Sequence, residues 1–228
     1  MKKIFSLIAL LTLGNALFAQ QFNQYYDYKP VHFGFNVGLN SSKFKLTEKR
    51  SFRTNDSLKT ILPVAFPGFQ LAIVSDFRLG EHASLRIVPT LLFAQKDVKY
   101  EFIEGKQQYN KTQQVRSTYI EVPVMLKLRS DRINNYRVYM ITGLKYMYDW
   151  SSQQRVNNQS NNNIKINRND FAWEIGIGYD YYFPYFKFAP ELKLATGLNN
   201  ILVAENHLYA SPLQSLRSRT LILSFNFE

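Results

Sequence analysis

Apolar and polar residues alternate with period two in eight separate stretches after residue 30. The run "YIEVPVMLKLR" (119–129) shows the pattern. Ile120, Val122, Val124, Leu126 and Leu128 fall on one side of a strand, and Tyr119, Glu121, Pro123, Met125, Lys127 and Arg129 on the other. Period two is the repeat of a β-strand with two unlike faces. The same alternation recurs over 31–39, 68–77, 84–95, 136–150, 171–183, 186–199 and 218–228. In "FAWEIGIGYDYYF" (171–183), Phe171, Trp173, Ile175, Ile177, Tyr179, Tyr181 and Phe183 oppose Ala172, Glu174, Gly176, Gly178 and Asp180. Any fold for this chain must place eight oily strand faces against something apolar.

Two architectures do so. In a soluble sandwich or barrel the oily faces point inward, and the core would be crowded with Phe, Tyr and Trp. In a membrane barrel they point outward to lipid. The opposite faces carry Gly34, Gly38, Gly68, Ala72, Ala94, Gly143, Gly176, Gly178 and Gly197, which suits a cramped interior better than a solvated surface. A tilted strand crosses the hydrocarbon in about 9–11 residues, and each stretch reaches that length. The links alternate: short around "LGEHA", "SDRINN" and "FPYF", long and polar elsewhere, longest in the Asn-rich 151–170. Tyr25, Tyr26, Tyr28, Tyr136, Phe183, Tyr185 and Phe186 gather at the short-turn side, and Tyr146, Tyr148, Trp150, Phe171 and Trp173 at the long-loop side, as interfacial girdles do. The reading is an all-β, eight-stranded antiparallel transmembrane β-barrel of the outer membrane. It has short periplasmic turns, long extracellular loops and both termini periplasmic. Pro89, Pro123 and Pro190 each lack a ladder donor, which predicts local bulges.

"MKKIFSLIALLTLGNALFAQ" has the charged start, short apolar run and small-residue cleavage site of a secretory signal. The expected organisation is a signal peptide over 1–19, a periplasmic tail over 20–29 and the barrel over 30–228. The tail "QQFNQYYDYK" offers an interface anchor through its tyrosines, or a contact surface. The chain has no cysteine, which excludes disulfides and thiolate sites. Its formal charge of +11 is scattered singly rather than clustered, which argues against a nucleic-acid partner.

Eight strands enclose a space that side chains fill. The alternation sends Asp76, Arg86, Glu121, Lys127, Arg129, Lys145, Glu174, Asp180, Glu191 and Lys193 into it. Charges in so narrow a space must pair, so a salt-bridged plug is expected, with Glu121 reaching Arg86, Lys127, Lys145 or Lys193. The alternative is a polar conduit for ions or a small solute. No cofactor, metal site, catalytic residue or small-molecule substrate is expected. His32, His82 and His207 make no metal-binding pair. A hydrolase reading would require His207 with Ser211 or Ser215, and a solvated loop histidine is the simpler account. The expected partners are membrane lipid and other proteins.

Several segments resemble the PorT family, outer-membrane barrel components linked to the type IX protein secretion system. They are "KPVHFGFNVGLN" (29–40), "PGFQLAIVSDFRLGE" (67–81), "LRIVPTLLFAQ" (85–95) and "STYIEVPVMLKLRSDRINNYRVYMITG" (117–143). "ELKLATGLNNI" (191–201) and the terminal "SFNFE" are shared by a broader group of such barrels. The resemblance implies a non-enzymatic subunit that supports secretion or maturation of exported proteins, in some relatives surface motility, with other secretion proteins as partners. It implies no catalytic residue. The other reading is a general small porin-like barrel or surface adhesin.

Overall fold

The computed structural model describes residues 25–49, 58–104, 107–151, 166–203 and 213–228. The signal-like segment, most of the Asn-rich loop, His207 and Ser211 lie outside them. After a short 3-10 turn (Tyr26–Tyr28) come β1 (Val31–Glu48), β2 (Leu58–Arg78), β3 (Ala83–Ile87), β4 (Thr90–Glu104), β5 (Gln107–Arg129), β6 (Tyr136–Asp149), β7 (Asn169–Tyr182), β8 (Lys187–Gly197) and β9 (Leu213–Phe227). All pairings are antiparallel, and β1 pairs with both β2 and β9, so the sheet closes on itself.

The nine segments fill eight positions in the ring. β3 and β4 share one place between β2 and β5. Pro89 separates them, yet the ladder survives: Ile73 N–H donates to the Pro89 carbonyl at 3.1 Å and Val88 N–H to that of Pro123 at 3.2 Å. The register is continuous past Pro89, Pro123 and Pro190. The expected bulges are therefore not at those prolines. The slips lie elsewhere, in β1 between Thr47 and Glu48 and in β2 between Leu58 and Thr60 and between Ala65 and Phe69, the last around Pro67 and Gly68. There a Cβ on residue 68 would stand 2.1 Å from the Phe93 carbonyl, so only glycine lets β2 pass so close to β4.

The faces are oriented as in a membrane barrel. Along β5, Tyr119, Glu121, Met125, Lys127 and Arg129 are buried, while Val122, Val124, Leu126 and Leu128 are exposed. On β1, Phe33, Phe35, Val37 and Leu39 face outward. From Val31 to Leu39 a strand tilted by about 35–45° covers roughly 19–22 Å of height, most of the apolar band of a small outer-membrane barrel. Among the described residues no helix is long and apolar enough to cross a membrane; the crossing elements are strands.

β1, β2, β4, β5, β7 and β9 run further on the long-loop side than the alternation indicated, whereas β6 and β8 end slightly short of it. β4 and β5 stay paired from Thr90↔Glu121 to Glu104↔Gln107, so the expected long loop there is an extended hairpin. Inside the extension, Phe44, Ile61, Val98, Tyr100, Ile201, Leu213 and Leu216 form a conventional buried core. Above the bilayer the barrel thus becomes a soluble one, with its apolar side chains inward.

This orientation fixes a test. Ile73→Arg, in the middle of the outward apolar face of β2, is expected to destabilise the folded barrel in lipid by about 2–4 kcal/mol, and Ser41→Arg at the band's edge by about 0–1 kcal/mol. Denaturant titration in vesicles measures both, and equal costs would contradict the placement of the bilayer.

Candidate functional site

The inward faces of the strands build one continuous network of charges. Arg86 on β3 is its hub. It donates from Nε and Nη2 to Asp76 on β2 at 3.0 and 2.8 Å, from Nη2 to the Glu228 carboxylate at 2.8 Å, and from Nη1 to Glu191 on β8. Glu191 also accepts from the Tyr139 hydroxyl at 2.6 Å and pairs with Lys193 at 3.5 Å. Lys193 reaches Glu174 at 3.2 Å, and Lys145 joins Glu174 at 3.1 Å to Glu121 at 3.0 Å. In the other direction Glu228 holds Lys187 at 2.6 Å, Lys187 approaches Asp180 at 3.9 Å, and Asp180 accepts from Lys127 at 2.9 Å. The Lys127 ammonium lies 3.7 Å above the Tyr139 ring. That ring is seated on Gly178, where a Cβ would come within 2.2 Å of it.

All ten charges placed inward by the sequence are buried: Asp76, Arg86, Glu121, Lys127, Arg129, Lys145, Glu174, Asp180, Glu191 and Lys193. Nine of them join the network above. Arg129 does not: it donates to the carbonyls of Glu81 and Gly80, both at 3.1 Å, tying β5 to the β2–β3 turn. Two members were not foreseen. Lys187 is the first residue of β8 and Glu228 the residue after β9; both have the inward parity of the runs 186–199 and 218–228, but they stand at the ends of those runs and were not among the ten. Their pairing follows from the ladder, since Lys187 and Glu228 exchange both backbone hydrogen bonds, at 2.7 and 2.9 Å.

The short-turn mouth is closed by a second cluster. Asp27, in the turn before β1, pairs with Arg137 at 3.2 Å and Arg132 at 3.5 Å, and accepts from the Tyr182 hydroxyl at 2.8 Å. Tyr26 stacks on His32 at 4.2 Å and its hydroxyl donates to Glu228 at 3.3 Å. Tyr26 is therefore part of the closure and not of the girdle, whereas Tyr25, Tyr28, Tyr136, Tyr185 and Phe186 are exposed, as are Tyr146, Trp150, Phe171 and Trp173 on the other side. Burial alone would raise the Asp27 carboxyl, but Arg137, the Tyr182 hydroxyl and Arg132 outweigh it and hold the group below its ordinary value.

The charged groups of this interior are engaged with one another in ion pairs and hydrogen bonds. His32 is buried, with Nε2 2.7 Å from the Tyr26 carbonyl, and His82 meets Asp131 at 2.9 Å between two exposed turns. Among the described residues no group of His, Cys, Asp and Glu could hold a metal. Higher up, Lys96 donates to the Tyr119 hydroxyl at 3.2 Å and Ser218 to Asp170 at 2.5 Å.

A closed antiparallel ring with lipid-facing aliphatics and a charged, filled interior is a small transmembrane β-barrel. Residues 18–203 match the family described as "Outer membrane protein beta-barrel domain". The chain belongs to that family and is a protein of the outer membrane. Solved structures with a similar course include OprG from Pseudomonas aeruginosa (11% identity, 92% of this chain and 95% of that one, TM-score 0.46). Neisserial surface protein A is another (9%, 87% and 98%, TM-score 0.44). A third is Ail of Yersinia pestis in complex with the heparin analogue sucrose octasulfate (16%, 87% and 99%, TM-score 0.38). No curated protein matches the chain.

Two outcomes follow from the network. Arg86→Met leaves three carboxylates buried without their shared cation, and is expected to cost about 3–5 kcal/mol, read as a lowered midpoint for loss of the heat-modifiable folded form on gels. Asp27 is ionised in the native state down to a lower pH than in the unfolded chain. Its contribution to docking is therefore complete above about pH 4 and disappears as the pH falls through its lowered native value. Protease sensitivity of the tail should rise in that acid window, and Asp27→Asn should show the raised sensitivity already at neutral pH.

Proposed function

We propose that this barrel is a non-enzymatic subunit of the type IX protein secretion system, supporting secretion or maturation of exported cargo. The resemblance of residues 29–40, 67–81, 85–95 and 117–143 to the PorT family points to that system. The observation that carries the mode of action is the sealed lumen. Arg86, Lys127 and Lys145 are fully buried and mutually connected through carboxylates from several strands. A polypeptide or a stream of ions has no route through such a space without breaking several buried pairs, each a loss of kilocalories. The barrel then acts through its outer wall, turns and loops, as a rigid body against which other secretion proteins assemble.

A second reading, a surface adhesin, is favoured by the β4–β5 hairpin, which continues about 35 Å of strand beyond the last apolar outward residue, Phe93. Deleting the gene and following cargo on the cell surface separates the two. Loss of surface cargo with intact adhesion is expected; normal cargo delivery would overturn the secretion role. The purified barrel in planar bilayers is expected to stay electrically silent at neutral pH, and a sustained open current would contradict the sealed lumen.

A further inference from the structure

The wall of the barrel is not uniformly closed on the long-loop side. β1 and β2 are paired from Val31↔Phe77 up to Ser42↔Phe66 and no further. Beyond that point β1 continues against β9 as far as Glu48, while β2 slips in register and continues against β4. The two strands part, and a cleft of about 670 Å³ opens between them. Its apolar floor is formed by Phe44, Ile61 and Pro63, and its rim by Lys43, Lys45, Lys49 and Arg219, with Glu48 at the upper edge.

The cations on that rim belong to an unusual arrangement. Lys43 pairs directly with Arg219 across β1 and β9, and Lys45 directly with Arg217. All four face outward and are exposed. Directly opposed like charges are destabilising, with Cβ atoms about 4.5–5.5 Å apart, and successive outward positions lie about 7 Å apart along a strand. Among the described residues none of the four has an ion-pair partner, and Glu48 makes no pair with them. Four positive charges thus occupy a patch about one phosphate group apart in each direction, with repulsion that no described residue relieves.

The height of the patch says what relieves it. On β1 the outward residues run Phe33, Phe35, Val37, Leu39, then Ser41, Lys43, Lys45; on β9 they run Phe225, Leu223, Leu221, then Arg219, Arg217. The cations are the first charges above the apolar band on the outer side. Beneath the cleft, Phe66, Phe69 and Leu39 are exposed to the bilayer. An occupant with phosphate above and acyl chain below fits both parts at once.

We propose that the cleft between β1 and β2 is a binding site for a phosphorylated glycolipid of the outer leaflet. The lipid phosphates bridge Lys43, Lys45, Arg217 and Arg219, and an acyl chain descends over Leu39 and Phe69. This stands on the fold and the membrane placement and is independent of the secretion role. Each lysine or arginine near an anionic lipid surface strengthens binding several-fold, so loss of the patch should weaken binding at least about tenfold.

The test uses the full barrel in neutral-lipid nanodiscs, titrated with diphosphorylated lipid A and, separately, with its dephosphorylated form. The wild type is expected to bind the phosphorylated form at least about tenfold more tightly, with affinity falling as salt rises. Arg217→Glu combined with Arg219→Glu turns both repulsive pairs into attractive ones. This variant is expected to lose lipid A binding while resisting heat better than the wild type in neutral detergent. Opposite movement of the two readouts is what a merely structural role would not give. Should the double variant fail to fold, Lys43→Gln with Lys45→Gln gives the same binding comparison. Equal affinity for both forms of lipid A, or unchanged affinity in a folded variant, overturns the site. So does competition by inorganic phosphate or an acidic peptide at concentrations comparable to the lipid, which would assign the patch to a soluble anion or a protein.

Discussion

Hydrocarbon offers no hydrogen-bond partner to a backbone N–H or C=O, so a strand that enters it must be paired on both edges. Everything else in this chain follows from that demand. β1 has to meet β9, because otherwise two rows of polar backbone would face lipid. Once the ring is closed at eight positions, the outward residues have no environment but lipid and the inward ones none but each other. The interior is then too narrow for charges to be individually hydrated, and Asp76, Glu121, Glu174, Asp180, Glu191 and Glu228 must find Arg86, Lys127, Lys145, Lys187 and Lys193. Burying such pairs is costly in itself. What they contribute is a specific registration of β2, β3, β5, β6, β7 and β8 around Arg86 and Lys145, which aliphatic filling of the same volume would leave less defined.

The parts of this arrangement that were legible in the sequence are those where one face meets lipid. In a two-faced strand a slip of one residue would turn Ile120 and Val122 inward and Glu121 out to hydrocarbon, so once lipid lies outside the ring the alternation fixes which residues face in. The alternation therefore places Glu121 among Arg86, Lys127, Lys145 and Lys193, and it lies 3.0 Å from Lys145. Where lipid ends, that signal ends. The upper half of β5, "QQYNKTQQVR" (107–116), has no oily face, and its continuation as strand depends on pairing with β4, which no single segment reveals. The core of Phe44, Val98, Tyr100 and Leu216 was hidden for the reverse reason. Those side chains are apolar and inward, contrary to the rule that holds for the rest of the same strands. Lys187 and Glu228 share the inward parity, but each stands at the end of its run beside the short-turn mouth, where alternation does not say whether a side chain turns into the lumen or out to water.

The same change of solvent accounts for where the ring is tight and where it parts. Within the apolar band, β1 and β2 stay paired without a break, as the lack of competing water requires. Above Ser42 and Phe66, water can satisfy exposed backbone groups, and the constraint relaxes. The slip between Ala65 and Phe69 lies at this boundary, where Pro67 has no N–H to contribute and Gly68 permits close approach to Phe93. An opening in the wall therefore costs little at this level, and a great deal a few residues lower. Positive charge follows the same boundary: Lys43 and Arg219 begin where the last outward aliphatics, Leu39 and Leu221, leave off. In a soluble barrel, two cations placed directly opposite two others would be an unrelieved cost. At the outer edge of a bilayer they face phosphate, so the repulsion that burdens the isolated protein becomes attraction in its working environment.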